Sequence, residues 1–123
     1  MDHACRALRA AIAIRRAVDA ATTDQLPLSA AVGVSSGPVV AGNIGSRQRF
    51  EYTVIGDPVN EAARLTEVAK AHPSRVLASG ATVSAAGSEG RMWTVVDTRV
   101  LRGRSRPTSV FAPTDDDGAG PPP

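Results

Sequence analysis

Apolar residues recur along this chain with two different periods. From Ala4 to about Ala20 they return every three or four positions. Ala7, Leu8, Ala11, Ile14 and Val18 fall on one face and Arg6, Arg9 and Arg16 on the other, which predicts an amphipathic helix. Thr22, Thr23 and Asp24 end it. Leu28, Ala30, Val32 and Val34 then alternate with Ser29, Ala31 and Gly33, the pattern of a half-buried strand, up to a turn at Ser35–Pro38. Val39 to Gly45 reads as an extended, glycine-rich segment that bends back into a second strand, where Phe50, Tyr52 and Val54 alternate with Glu51, Thr53 and Ile55. At Gly56 the period changes again. Asp57 as N-cap and Pro58 as first helical residue predict a helix running through Lys70, stopped by His72 and Pro73.

The remaining elements are shorter. A strand is expected around Arg75–Ala78, a short helix near Ala81–Ala86, a strand at Trp93–Val96, and a closing hairpin from Arg99–Leu101 and Thr108–Phe111 around Gly103. Strands interleaved with helices on so short a chain indicate an α/β class fold, an α+β sandwich. Residues 1–113 are expected to form one domain, and residues 114–123, rich in Pro, Gly and Asp, a disordered tail.

Composition narrows the function. With 42% hydrophobic but only 3% aromatic residues, the core must be built from Ala, Val, Leu and Ile. The net charge of +2 comes from arginine, which suits phosphate. It lacks the dense basic stripe and stacking aromatics of a nucleic-acid binder, so no nucleic-acid partner is expected. The single cysteine, Cys5, rules out an internal disulfide framework and points to the cytoplasm. No apolar run approaches the length of a membrane span.

Chemistry concentrates in residues 51–65, E-Y-T-V-I-G-D-P-V-N-E-A-A-R-L. On a helix, Asn60 and Arg64 stand one turn apart on one face with Glu67 beside them, while Ala62, Leu65 and Ala69 point away. An amide and a guanidinium near a helix N-terminus can hold a ribose and a phosphate. The same spacing also describes a solvated polar face that meets only water and Glu67. The glycines Gly37, Gly42 and Gly45 lack the G-K-[ST] ending of a phosphate loop, and turn and packing roles suit them better. His3 and His72 have no neighbour at metal-ligand spacing.

The segment Y-T-V-I-G-D-P-V-N-E-A-A-R-L is very similar to the strand–loop–helix signature of class III adenylate and guanylate cyclases. G-V-S-S-G-P-V-V-A-G-N-I-G-S resembles the preceding strand and hairpin of that family, and V-L-R-G-R-S-R-P its closing segment, so the resemblance spans about Leu28 to Phe111. It implies a ferredoxin-like cyclase fold without the N-terminal strands and helices. It also implies that Asn60 orients the ribose and that Arg64 stabilises the phosphorane-like transition state. Thr53, seven residues before the asparagine, falls where the family selects its base, which favours ATP over GTP. Arg102 falls at a triphosphate-binding position where many members carry lysine.

The resemblance also marks what this sequence lacks. Family members bind Mg or Mn through two aspartates in upstream F-x-D-x-x-G-F-T-like and G-D-like segments, and no residue here matches either motif, so no metal ligand is assigned. Cyclases of this class are dimers with interfacial active sites. The chain is therefore expected to pair with itself or with another cyclase domain and to be inactive alone. Three readings follow: an adenylate cyclase half-site, a silent homologue that binds nucleotide or modulates a full-length cyclase, or a truncated reading frame whose Met1 enters a helix directly.

Overall fold

The computed structural model describes residues 3–46, 49–101 and 106–114; for 40–46 and 49–55 the description is of the backbone. Its elements run in the order α1 (His3–Ala21), β1 (Val32–Val34), β2 (Val40–Ser46), β3 (Arg49–Ile55), α2 (Asp57–Ala69), β4 (Val76–Ser79), α3 (Gly80–Ala85), a 3₁₀ turn (Gly87–Met92), β5 (Trp93–Val100) and β6 (Pro107–Pro113). Four strands form a sheet in the order β1-β4-β6-β5, and β2 and β3 pair separately as an antiparallel hairpin. β1 runs parallel to β4, and the other neighbours in the sheet are antiparallel. Val96 is the extra residue of a bulge between the Val95–Phe111 and Asp97–Val110 pairs.

Alternation along the central strands sends side chains to two separate cores. Val76 and Ala78 join Ala4, Cys5, Leu8 and Ala11 of α1, together with Val34, Val83, Ala86 and Trp93. Leu77, between them, turns the other way and meets Leu65 and Ala69 of α2, with Leu101, Val110 and Ala112. The sheet is thus sandwiched, with α1 and α3 on one face and α2 on the other. This is the α/β layering that the pattern predicts.

Local departures from expectation have physical reasons. On α1 the core side holds Arg15 and not Ile14: Arg15 is 3% exposed and Ile14 50%. Arg15 follows Leu8 and Ala11 at i+7 and i+4, so it falls on the same face. Its Nη1 donates to the carbonyl of Ser74 at 2.9 Å, which makes burial of the charged group tolerable. Arg15 is therefore not a phosphate ligand on the surface. Arg75 Nη2 reaches Asp19 Oδ1 at 2.6 Å, fastening the same end of α1 to the connection between α2 and β4.

The strand predicted from Leu28 shrinks to Val32–Val34, because only these three residues find ladder partners, on Val76–Ala78. The polar stretch Gly87–Met92, between α3 and β5, winds into a 3₁₀ turn. Thr114, where the tail is predicted to begin, still donates its N–H to Met92 O at 2.7 Å.

Candidate functional site

The site is built where β3 hands over to α2. Gly56 makes the turn with φ +149°, a region that L side chains rarely adopt. Its carbonyl accepts from the N–H groups of Val59 (3.1 Å) and Asn60 (3.3 Å), so Gly56 caps the helix. Asp57, predicted as the cap, is instead the first helical residue and Pro58 the second. This shift weakens the expected anion cradle. Pro58 has no N–H, the next two amides are bonded, and Asp57 places a carboxylate in the first turn. A phosphate held here would rely chiefly on side chains.

Asn60 is exposed, and Arg64 lies one turn on with its side chain 31% exposed. Arg64 Nη1 donates to Glu67 Oε2 at 3.0 Å. The three residues share the uncovered side of α2, opposite Leu65 and Ala69. Thr53 is placed by its backbone alone, paired with Gly42 across the β2–β3 hairpin, two residues before that strand ends. Arg102 lies outside the described residues, in the connection between β5 and β6. The structure therefore brings Asn60 and Arg64 together and sets Thr53 on the strand that leads into them.

α2 is seated closely on β1. A Cβ at Gly33 would stand 2.5 Å from Thr66 N and 2.6 Å from Ala62 O, so only glycine permits this approach.

Sequence reasoning missed Glu61. Next to Asn60 but turned inward, it is 8% exposed. Its Oε2 accepts from Thr108 Oγ1 on β6 at 2.9 Å, and its Oε1 accepts from Ser35 Oγ just after β1. The adjacent Ser36 accepts from Thr82 Oγ1, which also pairs with Ser79 Oγ, so the turn after β1 is fastened to both α2 and α3. An open cleft of about 400 Å³ borders Glu61, with Ser79, Ser84, Arg106, Thr108 and Phe111 in its walls. Asn60 and Arg64 do not line it. It belongs to the inner side of the helix and not to the polar face.

Among the described residues, no group of three or more His, Cys, Asp or Glu side chains stands together to hold a metal ion. The residues described do not fit the divalent metals of the resembled cyclases. One guanidinium is shifted: Arg9 is raised above its usual value, chiefly by its hydrogen bond to Glu89, on an exposed surface of α1. No helix among the described residues is long and apolar enough to cross a membrane.

The model of the adenylate and guanylate cyclase catalytic domain matches residues 1–112. The chain belongs to this cyclase family. An uncharacterized protein of Mycobacterium tuberculosis strain H37Rv is 49% identical over 107 residues, covering 85% of this chain and 20% of that protein. A second from the same strain is 48% identical over 106 residues, with 85% and 19% coverage. The chain thus spans about a fifth of the length of these curated relatives. Among solved structures, the guanylyl cyclase Cya2 superposes with a TM-score of 0.68 at 25% identity, over 89% of this chain and 57% of that one. The layered sheet described above is therefore a cyclase-domain fold.

Proposed function

We propose that this chain is a nucleotide cyclase domain of the adenylate cyclase type, contributing the Asn60 and Arg64 half of an active site shared with a second cyclase domain. The observation that carries the reading is the pairing of Asn60 and Arg64 on the uncovered face of α2, immediately after the glycine turn from β3. In this family's chemistry the ribose 3′ oxygen attacks the α-phosphorus. The bond to the bridging oxygen breaks, pyrophosphate leaves, and the 3′ proton passes to solvent or a base. Asn60 would fix the ribose in line. Arg64 would stabilise the charge gathering on the α-phosphate oxygens, a preorganised electrostatic role. Thr53 is assigned to the base, with adenine preferred, and Arg102 to the triphosphate. The carboxylates for a divalent metal are assigned to the partner domain.

Complementation tests this. A full-length cyclase that keeps its metal carboxylates but has its own catalytic Asn and Arg changed to Ala is mixed with this chain. Cyclic AMP should appear in the mixture and in neither component alone, with ATP preferred over GTP. Sustained turnover by the isolated chain, or rescue that survives Asn60→Ala with Arg64→Ala, refutes the proposal.

A further inference from the structure

The side chains of α2 divide unevenly along its length. Its buried residues are Glu61, Leu65 and Ala69, so the apolar contacts serve the middle and C-terminal turns. The first turn and a half, which carries Asn60, has Glu61 as its only buried residue. Apolar contacts are non-directional and let a helix roll or slide, whereas hydrogen bonds fix an angle. Glu61 is held from two directions, by Thr108 on β6 and by Ser35 after β1, residues 47 and 26 positions away in sequence. Burying a carboxylate is costly unless it is well bonded. An apolar side chain there would avoid that cost.

We infer that Glu61 is a positioning residue: its bonds to Ser35 and Thr108 set the roll of the first turns of α2 and so aim Asn60 and Arg64 at the substrate. The inference rests on the proposed role of those two residues. What the bonds to the two hydroxyls supply is geometry, and neither of those bonds by itself requires a charge on residue 61. A glutamine can replace it, because hydroxyl groups both donate and accept: its Oε1 takes one bond and its Nε2 gives the other.

The test uses the full chain in the complementation assay, with thermal melting of each variant. The double substitution Glu61→Leu, Thr108→Val removes both partners of the buried bond, a change that is close to neutral for stability when the shapes match. Ser35 is half-buried and can turn to water. The variant should melt near the wild type while kcat falls about tenfold to a hundredfold, the scale of a misplaced catalytic group, with KM held within about twofold. Glu61→Gln should restore turnover to within about threefold, the scale of one ordinary hydrogen bond. Wild-type turnover in the double variant overturns the inference, and so does a glutamine variant as slow as the double variant. If the double variant does not fold, Thr108→Val alone decides, and an unchanged kcat overturns the inference. An Arg64→Ala variant that keeps full rescue marks failure of the active-site reading itself, whatever Glu61 does.

Discussion

The two faces of the sheet solve different problems. On the α1 face, Ala4, Leu8 and Ala11 pack on Val76, Ala78 and Trp93, and the polar residue among them, Arg15, donates to the backbone carbonyl of Ser74. On the α2 face the cluster is smaller, and at one end it gives way to the buried Glu61, Thr108 and Ser35 contacts. The first face is built to hold the chain together. On the proposed function the second also has to present a polar helix side at a fixed angle, and it carries directional bonds beside its apolar contacts. Substitutions on α1 should therefore change stability without changing the chemistry per folded molecule, and substitutions on the outer side of α2 should do the reverse.

The largest effect expected is at Arg64. Arg64→Ala should cut rescued turnover by about 10³ to 10⁵, the range for a guanidinium that stabilises phosphoryl-transfer charge. The melting temperature should barely move, since the side chain is partly exposed and bonds to Glu67 on the same helix. A large loss of stability in this variant would break the division between the two faces. Leu8→Ala is the mirror image. Leu8 is fully buried under α1, so its truncation should cost about 2–5 kcal/mol in denaturant unfolding. Turnover per folded complex should stay at the wild-type level.

Gly33→Ala sharpens the comparison because it should move both readouts. The new methyl would press on Thr66 N and Ala62 O and push α2 off β1. Overpacking of this kind costs about 1–3 kcal/mol, and the displaced helix carries Asn60 and Arg64 with it. Stability and rescued kcat should fall together. A loss of stability with unaltered kcat would show that the angle of α2 does not matter to the site.

Much of this architecture was legible in the sequence, and the exceptions share one cause. The strand from Phe50 to Ile55 and the helix after Gly56 follow from local periodicity and turn chemistry, and the Asn60 and Arg64 pair follows from helical geometry. Arg15 and Glu61 did not. Each is a charged residue at a core position, and each is made tolerable by a partner far away in the chain: Ser74, 59 residues from Arg15, and Ser35 and Thr108, 26 and 47 residues from Glu61. A hydrophobicity pattern counts such residues as surface. The strand predicted from Leu28 erred in the opposite way. Its alternation was real, but a strand also needs a neighbour, and β4 offers only Val76–Ala78. The helix cap moved by one residue because the positive φ of Gly56 decides where the chain turns, and the good capping chemistry of Asp57 could not override it.

The smallest effect expected is at Glu67, and its sign is what makes it useful. In the free chain Arg64 is committed to Glu67 at 3.0 Å, on a side of the helix where the Glu67 side chain is 52% exposed. A nucleotide phosphate would have to take the guanidinium from that carboxylate and then lie beside its negative charge. Exposed ion pairs of this kind are worth about 0.2–1 kcal/mol, which corresponds to roughly a 1.4- to 5-fold change in an equilibrium constant at 25 °C. Glu67→Gln should therefore lower KM for ATP in the complementation assay by up to about fivefold, with little change in melting temperature. Because the interaction is solvent-exposed, the gain should shrink as salt is raised from about 0.05 to 0.5 M. The opposite result, a higher KM and a lower kcat, would mean that Glu67 steers Arg64 toward the substrate. The outer face of α2 would then depend on an internal support of its own, as the inner face does on Glu61.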